Sequence, residues 1–398
     1  MTPTPTLAPG ALDGVRVIEL GQLIAGPFCG QMMADFGADV IKVEQPDRGD
    51  PMRDWGVVHE GRSLSWNVIA RGKRCVTADL HTDAGREFVL DLVRQSDVVV
   101  ENFRPGTLER FGLGYDVLAE ANPRIVLTRV SGFGQDGPYS PRAGYGSIGE
   151  AMGGLRYLVG DADRPPSRFG VSLGDMLAGL HAALGTLLAL VARERSGRGQ
   201  VVDVSIFESV LALTESLVSD YAVAGVVRER TGALLPGVAP SNVYPTADGH
   251  MVLIAANQDS VFRRLTRAMG QEELADDARY ATHQARGARQ TELDELIGAW
   301  SSTLPAAEML ELLDTHGVPV GRIYQARDML ADAHFQARGS IVEIPDDQLG
   351  HVPMQAVTPR LSDNPGTIRW GGQRRGHHDG EVRDWLTAQQ QPVDGAVR

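Results

Sequence analysis

Cysteine is scarce in this chain, which contains only Cys29 and Cys75 among 398 residues. The two lie far apart, form no CxxC motif and have no metal-ligand spacing. The sequence therefore excludes a disulfide-rich secreted scaffold and predicts no metal site. Two isolated thiols fit a reducing compartment, so we expect a cytoplasmic protein.

Basic residues are also in deficit, since 38 Lys and Arg stand against 51 Asp and Glu and the formal net charge is −13. A chain with a pI of about 5.3 is not a general nucleic-acid binder, and no nucleic-acid partner is expected. The first ten residues lack the basic and apolar regions of a signal peptide. The longest apolar run, around 180–191, is too short and too interrupted to predict a membrane span.

Short apolar strands alternate with helices through the first half of the chain. Residues 15–20 and 39–44 are typical of strands, with a helix predicted between them over 28–36. This βαβ order indicates a parallel sheet, and the predicted fold class is α/β with a Rossmann-like large domain. Further strands are predicted at 75–80, 97–101 and 124–130, and further helices at 84–95, 105–111, 115–121 and 206–223.

The pattern changes near residue 226. A β-hairpin is predicted over 241–254, turning at Asp248-Gly249, and amphipathic helices follow at 261–269, 290–303 and 306–315. We therefore predict a large-domain segment over 1–226 and a smaller α+β domain over 227–320. Residues 321–398 are expected to return to the large domain, with a helix at 326–337, a strand at 341–344 and a tail rich in proline and glycine.

The stretch that most strongly indicates chemistry is 170–184. Two glycines flank Ser172, and Asp175 stands at the apparent start of a helix whose apolar residues recur every 3.6 positions. Free N–H groups and the helix macrodipole favour an ionised carboxylate there. One interpretation makes Asp175 a helix N-cap. The other makes it a nucleophile toward activated acyl groups, approached by glycine-rich backbone.

Three other motifs are weaker candidates. Residues 132–137 match GxGxxG, but prolines follow instead of a helix, so a loop is predicted rather than a dinucleotide site. Residues 170–174 match GxSxG, the nucleophile elbow of α/β-hydrolases, but 164–168 is no buried strand, so a hydrolase using Ser172 is the less favoured hypothesis. His377-His378-Asp379 is interpreted as a polar surface turn rather than a metal site.

A set of short motifs occurs in order along nearly the whole chain, together with Gly174-Asp175. Their positions are 12–17 (LDGVRV), 25–27 (AGP), 37–44 (GADVIKVE), 49–50 (GD), 100–106 (VENFRPG), 122–124 (NPR), 131–134 (SGFG) and 197–200 (GRGQ). Jointly they resemble the class III CoA-transferases, the family of formyl-CoA transferase and the carnitine-pathway CoA-transferase. The resemblance favours the nucleophile interpretation of Asp175.

The resemblance implies a large α/β domain built from both chain ends, a smaller domain, and two ring-like subunits interlocked as a homodimer, with the active site between domains. It implies that Asp175 attacks an acyl-CoA thioester and forms an aspartyl-acyl anhydride, and that CoA then passes to an acceptor acid through an aspartyl-CoA thioester. Backbone N–H groups near Gly174 or in a facing loop would stabilise the oxyanions. Coenzyme A and acyl-CoA are expected as substrates, with no tightly bound cofactor.

By position, the resemblance also implies which residues meet the substrates. Along the CoA chain we expect Gln22, Leu23 and Ala25. At its nucleotide end we expect Asn102, Phe103, Arg104 and Arg110, and at its phosphates Arg48 and Lys73. On the side of the acyl and acceptor substrates we expect Ile24 and Tyr145.

Departures from known branches of the family shape the substrate prediction. Formyl-CoA transferases have a glutamine that touches oxalate where this chain has Ile24, and residues 235–241 replace the glycine run that closes over their site. Racemases of the superfamily have Gly-His in place of Gly144-Tyr145, and loss of that histidine removes one of two bases. We therefore expect transfer of CoA from a donor such as succinyl-CoA to a C4–C6 dicarboxylate such as malate, citramalate, itaconate or glutarate. A 2-methylacyl-CoA racemase and a non-catalytic CoA-binding protein are the alternatives.

Overall fold

The computed structural model describes residues 9–390 of the chain. These residues form two compact units. Within residues 9–390, the larger unit consists of the residues up to Arg156, of Phe169–Gly225 and of the residues from Gln336 onward, and the smaller unit consists of Tyr157–Arg168 and Val226–Phe335. Both ends of the described chain thus belong to the larger unit.

The strands, in chain order, are β1 (Arg16–Glu19), β2 (Asp39–Glu44), β3 (Val58–His59), β4 (Arg62–Ser63), β5 (Lys73–Thr77), β6 (Val98–Glu101), β7 (Val126–Ser131), β8 (Val201–Ser205), β9 (Ser241–Pro245), β10 (Met251–Ala255), β11 (Val320–Arg322), β12 (Ile341–Asp346) and β13 (Gly350–Gln355).

The α-helices, in chain order, are α1 (Ala25–Asp35), α2 (Leu64–Ile69), α3 (Asp83–Arg94), α4 (Thr107–Arg110), α5 (Tyr115–Ala121), α6 (Gly146–Met152), α7 (Leu155–Leu158), α8 (Leu173–Ser196), α9 (Ile206–Leu211), α10 (Leu217–Ala224), α11 (Asp259–Ala268), α12 (His283–Ala288), α13 (Gln290–Ser301), α14 (Ala306–Thr315), α15 (Ala326–Ala331), α16 (Ala333–Arg338) and α17 (Asp379–Gln390). Short 3-10 helices span Pro51–Asp54 and Glu272–Ala275.

A six-stranded sheet organises the larger unit, in the order β5-β2-β1-β6-β7-β8. Every neighbouring pair is parallel, which confirms the α/β class and the parallel sheet predicted from the βαβ pattern. The chain winds outward from the centre in both directions, so the strand order reverses between β1 and β6. Open α/β sheets bind ligands in the crevice beyond the carboxyl ends of their strands at such a point.

Both faces of this sheet are covered by helices, which explains why its strands are rich in valine and isoleucine. Along β6, Val98 and Val100 contribute to a core shared with α1 and α8, while Val99 contributes to a second core shared with α3, α5 and α17. All three valines have no exposed surface. Alternation along a single strand therefore supplies two separate apolar layers.

The long helix α8 begins two residues before Asp175 and packs against α1 and the sheet. It is 24 residues long and apolar enough to cross a membrane by length and composition alone, so the prediction that this run is too short is wrong. Its buried residues pack against α1 and the sheet, while 39% of its most apolar 18-residue window is buried. Gly179 allows the close approach to α1, because a Cβ there would lie 2.7 Å from the carbonyl oxygen of Ala25.

Two predicted helices are each divided in the structure. The helix predicted over 206–223 becomes α9 and α10, because Glu215 adopts a φ of 52° between them. The helix predicted over 326–337 becomes α15 and α16, because the Asp332 carboxylate accepts hydrogen bonds from the N–H groups of His334 and Phe335. A capping side chain starts a new helix there, which apolar periodicity does not reveal.

The C-terminal helix α17 is attached to β5 by side-chain hydrogen bonds. The N–H of Cys75 donates to Nδ1 of His378 at 3.0 Å, and the Asp379 carboxylate accepts from the N–H and hydroxyl of Thr77, each at 2.7 Å. His377 and His378 lie in a turn, as predicted, and His377 is exposed, but His378 is 9% exposed, so its interpretation as a surface residue is wrong. Burial, followed by the neighbouring His377, lowers the pKa of His378.

The smaller unit is an α+β fold of its own. The predicted hairpin is confirmed as β9 and β10, and β11 pairs with the other side of β10, antiparallel. The three predicted helices are confirmed as α11, α13 and α14. They enclose an apolar core that includes Tyr244, Phe262 and Leu293.

Candidate active site

A cavity of about 210 Å³ opens beyond the carboxyl ends of β1, β6 and β7, in the larger unit. It therefore occupies the switch point of the sheet, where the topology predicts a ligand site. The residues that line it are Gln22, Leu23, Ile24, Ala25, Trp55, Asn102, Phe103, Arg104, Val130, Ser131, Gly132, Gly144, Tyr145, Asp175 and Ile206.

Asp175 is the third residue of α8, with Ser172 at the N-cap position, so the interpretation of Asp175 as the N-cap is wrong. Its side chain lines the cavity and is partly exposed. The backbone of Gly146 packs against the carboxylate, because a Cβ at Gly146 would lie 2.3 Å from Oδ2 of Asp175. The carboxylate thus sits in the first turn of a long helix, where the macrodipole favours negative charge.

The N–H of Gly174 is already occupied by a buried carboxylate. It donates to Oε1 of Glu150 at 3.1 Å, and the other oxygen of Glu150 accepts from Arg156 at 2.5 Å. Glu150 is only 1% exposed. The N–H of Gly174 is therefore not available to an oxyanion, and the other N–H groups near Gly174 and those of a facing loop stay the expected donors.

The loop between β1 and α1 brings Gln22 and Leu23 to the cavity. The side chain of Asn102 holds Gln22 on both sides, since Oδ1 accepts from the Gln22 N–H at 2.7 Å and Nδ2 donates to the Gln22 carbonyl at 2.8 Å. Leu23 has a φ of 61°, and its N–H donates to Oδ1 of Asp50 at 3.0 Å. Left-handed backbone is unusual for a residue with a bulky side chain.

Four buried charges connect to this loop. Nζ of Lys42 lies 2.9 Å from Glu19 and 2.8 Å from Asp50, and Nζ of Lys73 lies 2.7 Å from Glu19. Lys42 also donates to the carbonyl of Gly21 at 2.7 Å. None of the four charged residues is more than 2% exposed, and two acids balance two lysines. Mutual pairing is what makes buried charges tolerable.

Lys73 has no exposed surface, and its ammonium also donates to the carbonyl of Pro27 at 2.6 Å. The expected phosphate contact of Lys73 is therefore contradicted, because a phosphate has no access to it. Burial would raise the pKa of Asp50, but the Lys42 ammonium and the N–H groups of Met52 and Leu23 outweigh it and hold that pKa below its usual value. Asp50 is thus an ionised, fully engaged carboxylate.

The residues expected at the nucleotide end of CoA fall into two groups. Asn102, Phe103 and Arg104 line the cavity, and Arg104 is exposed. Within the described range, the lining residues include neither Arg48 nor Arg110, both of which are exposed. Arg110 donates to the hydroxyl of its neighbour Thr107 at 2.7 Å.

The segment from 102 to 104 is held in place by the last residue of β6. Oε2 of Glu101 accepts from the N–H of Phe103 at 2.6 Å, and Oε1 accepts from Nε of Arg129 at 2.6 Å. Burial raises the pKa of Glu101 to about 7, although Arg129 opposes this. A buried carboxylate therefore positions the cavity wall on this side as well.

The family assignment follows from comparison with known proteins. The sequence model of the family described as CoA-transferase family III matches residues 12–379 of this chain. The chain belongs to CoA-transferase family III. This confirms the resemblance carried by the short sequence motifs, and the chain is an enzyme of the CoA-transferase class.

Relatives of this CoA-transferase cover nearly its full length. A succinyl-CoA–D-citramalate CoA-transferase of Chloroflexus aurantiacus is 56% identical over 375 residues, which is 94% of this chain and 93% of the relative. The beta subunit of a succinyl-CoA–L-malate CoA-transferase from the same organism is 41% identical over 386 residues, 96% of this chain and 95% of the relative. The crystal structure of a CAIB/BAIF family protein from Brucella suis matches with a TM-score of 0.85 and 36% identity, over 95% of this chain and 100% of the other.

The geometry of this CoA-transferase also bears on the rival motifs. No strand occurs in residues 159–172, and the described residues lining the cavity do not include Ser172, so the hydrolase elbow is missing. Residues 132–137 form a loop that opens no helix, as predicted. Gly132 and Gly144 lie in close contact, since a Cβ on Gly132 would be 2.8 Å from Cα of Gly144. The GxGxxG match thus reflects close backbone packing in the wall of the cavity.

Several residues of this CoA-transferase site escaped the sequence-based prediction. Trp55 and Gly146 gave no periodic or motif signal of their own. Glu19 and Lys42 did give one, because each charged residue directly follows a pair of apolar strand residues, Val17-Ile18 and Val40-Ile41. Such residues are rarely buried without a partner, and this signal could have identified the buried charges.

Proposed function

We propose that this enzyme transfers CoA from succinyl-CoA to a C4–C5 dicarboxylic acid, with D-citramalate as the first acceptor to test, through covalent intermediates on Asp175. The observation that carries the proposal is the place of Asp175: its carboxylate lines the cavity in the first turn of α8, against the bare backbone of Gly146. A carboxylate so exposed to a bound thioester is a nucleophile toward its carbonyl carbon.

In the first half of the reaction, the Asp175 carboxylate attacks the thioester carbonyl. A C–O bond forms, the C–S bond breaks, and CoA thiolate leaves with the electron pair. The thiolate then attacks the aspartyl carbonyl of the anhydride and releases succinate, which leaves an aspartyl-CoA thioester. In the second half, the acceptor carboxylate attacks this thioester, and the thiolate it releases attacks the acyl carbonyl of the acceptor, which regenerates Asp175. One thioester replaces another, so no proton is consumed.

The size of the cavity supports entry of only the reacting end of acyl-CoA. Its volume of about 210 Å³ is below the roughly 300–1,000 Å³ of pockets that enclose a drug-sized ligand. We propose that the pantetheine arm passes Gln22, Leu23 and Ala25, and that the nucleotide lies outside, near Phe103 and the exposed Arg104. Arg48 and Arg110 are proposed phosphate contacts farther out. Lys73 is not proposed as a phosphate contact, because it has no exposed surface.

The acceptor proposal combines the cavity wall with the two named relatives. Both relatives carry succinyl-CoA in their names, and their acceptors, D-citramalate and L-malate, are 2-hydroxy dicarboxylic acids. In this chain Ile24 and Tyr145 line the cavity beside Asp175. Apolar Ile24 suits the methyl-bearing carbon of citramalate better than a carboxylate of oxalate, because a buried unpaired charge is costly.

We also propose that the protein is a cytoplasmic homodimer. The apolar side chains of Leu184, Leu188 and Val191 on α8 are 52%, 62% and 60% exposed. A continuous apolar stripe on a core helix is typical of a surface covered by another chain. Sedimentation equilibrium tests this, and a monomer at micromolar concentration would contradict it.

Mass spectrometry of the protein after incubation with succinyl-CoA tests the mechanism. We expect a CoA-sized adduct on the peptide that contains Asp175, discharged by D-citramalate. Asp175→Ala should lose the adduct and lower kcat on the order of 10³-fold or more, since the nucleophile itself is removed.

Ser172→Ala is the matched control, because this residue lies three positions away and outside the cavity lining. It should keep both the adduct and the transfer. Transfer that survives Asp175→Ala, or exchange of the α-proton without CoA exchange, would contradict the proposal.

A further inference from the structure

Leu23 lies in a strained part of the cavity wall. Among residues 9–390, only Leu23, Glu60 and Glu215 have a positive φ without being glycine. Of these, Leu23 alone lines the cavity. A side chain with a Cβ clashes with its own backbone in this conformation, so surrounding contacts must hold the residue there.

The contact that holds Leu23 comes from Asp50. One oxygen of Asp50 accepts two backbone hydrogen bonds, from Leu23 at 3.0 Å and from Met52 at 2.9 Å. Met52 lies in the 3-10 helix Pro51–Asp54, for which Asp50 is the N-cap. Trp55 follows that helix directly and lines the cavity. A single carboxylate oxygen thus joins two segments of the cavity wall.

The second oxygen of Asp50 faces Lys42, whose ammonium lies 2.8 Å away. The same ammonium donates to the Gly21 carbonyl at 2.7 Å, two residues before Leu23. The ion pair therefore fixes the orientation of the Asp50 carboxylate relative to the loop. Asp50 is 2% exposed, so water does not compete for its hydrogen bonds.

We propose that Asp50 is a positioning residue for the transferase reaction: it holds Leu23 in the left-handed conformation and fixes the turn that carries Trp55, and so sets the shape of the acyl-CoA site. The inference rests on the proposed function, because acyl-CoA is the ligand whose fit it explains. Asp50 itself does not line the cavity within the described residues and touches no substrate.

A matched control distinguishes positioning from simple stability. Asp35 is a buried aspartate of the same unit, 5% exposed, which pairs with Arg71 at 2.6 Å and does not belong to the described cavity lining. Removing either carboxylate takes an anionic partner away from a buried cation, Lys42 or Arg71, so both Asp50→Ala and Asp35→Ala should lower Tm. Only Asp50→Ala should affect the acyl-CoA site.

The test measures the Kd of CoA by calorimetry and the KM of succinyl-CoA in each variant. Asp50→Ala should raise both constants about tenfold relative to Asp35→Ala, which corresponds to loss of one or two backbone hydrogen bonds. Asp50→Asn should recover part of the affinity, to a Kd about threefold above wild type, because its carbonyl oxygen still accepts from Leu23 and Met52 but the ion pair with Lys42 no longer orients it. It should not recover Tm, because the charge facing Lys42 is gone.

Equal Kd and KM values in Asp50→Ala and Asp35→Ala would overturn the inference. If Asp50→Ala is insoluble, Asp50→Asn against Asp35→Asn decides: a Kd raised about threefold only at position 50 supports positioning, and equal values overturn it. Wild-type protein that binds CoA without transferring it would contradict the proposed function, while the Kd comparison still decides the role of Asp50.

Discussion

The two walls of the cavity are built by opposite means. On the side of β1, residues 21–23 are held by side chains from elsewhere, namely Asn102, Asp50 and Lys42. On the side of α8, the backbone of Gly146 packs so closely against the Asp175 carboxylate that no Cβ fits between them. The described contacts of the first wall are side-chain hydrogen bonds, and the second wall shows close approach of a glycine backbone.

The difference matches what each wall is proposed to do. The β1 wall is proposed to bind the long, flexible CoA chain, and fixed backbone reduces the entropy lost on binding. The α8 wall presents the proposed nucleophile, the Asp175 carboxylate. Because thioester and thiolate must both reach this group, it has to stay open to the cavity. Damage to the first wall should therefore raise KM, and damage to the second should lower kcat.

Among substitutions that leave Asp175 itself in place, the largest effect is expected from adding a side chain beside its carboxylate. In Gly146→Ala, the new Cβ would lie 2.3 Å from Oδ2 of Asp175, so the carboxylate must move. A displacement of about 1 Å lowers kcat on the order of 10²-fold, whereas the Kd of CoA should change little. Steady-state kinetics with succinyl-CoA and D-citramalate measures kcat, and calorimetry measures the Kd of CoA.

Gly298→Ala is the matched control, since a Cβ at this helical glycine of the smaller unit meets no atom within 4 Å. It should leave kcat unchanged and stabilise the fold by about 0.5–1 kcal/mol. A wild-type kcat in Gly146→Ala would show that the carboxylate has room to move, and its placement would then not depend on the close approach of the Gly146 backbone.

A smaller effect is expected on the β1 wall. Asn102→Ala removes both hydrogen bonds on Gln22, and at about 1 kcal/mol for each bond the KM of succinyl-CoA should rise about 30-fold, with kcat less affected. Asn122→Ala removes a comparable clamp, in which Nδ2 donates to the carbonyls of Val93 and Ser96.

Asn122 lies outside the described cavity lining, so its loss should lower Tm without changing KM. If Asn102→Ala and Asn122→Ala show the same KM, the hydrogen bonds from Asn102 to Gln22 contribute to stability alone. The β1 wall would then not owe its effect on binding to these bonds.

Much of the fold was accessible from the sequence because local patterns determine it. The predicted boundaries of β2 and α14 agree with the structure, since each is a short apolar-periodic segment with clear ends. Asp175 was accessible for the same reason, because the start of α8 and its flanking glycines are local features. The division at Asp332 was not, since a cap competes with an otherwise continuous helical pattern.

The arrangement of the β1 wall could not be predicted, because it joins distant residues through the sheet. Leu23 and Asp50 are 27 positions apart, and Gln22 and Asn102 are 80 apart. Parallel pairing of β1 with β2 and β6 brings these residues together, and the register is set by the whole core. The same pairing turns Lys73 into the interior, where a position-based expectation placed a phosphate contact.

The smallest effect is expected where a polar bond serves only the fold, at the attachment of α17. Nδ1 of His378 accepts from the N–H of Cys75, which a protonated imidazole cannot do. Burial and His377 lower the pKa of His378, while the charges of Glu381 and Arg74 act in opposite directions on it. The unfolded chain then binds more protons than the folded one, so stability is lost as the pH falls below the usual histidine pKa of about 6.5.

Thermal unfolding between pH 7.5 and 5.5 measures this loss. We expect His378→Asn, whose side-chain oxygen accepts a hydrogen bond at any pH, to lose about 2 °C less than wild type over that range. His250→Asn, at an exposed histidine of the smaller unit, should follow the wild-type curve. Transfer kinetics should be unchanged in both variants. A His378→Asn variant with altered KM would show that polar bonds remote from the cavity also shape the acyl-CoA site. The effect on KM would then not be confined to the hydrogen bonds of the β1 wall.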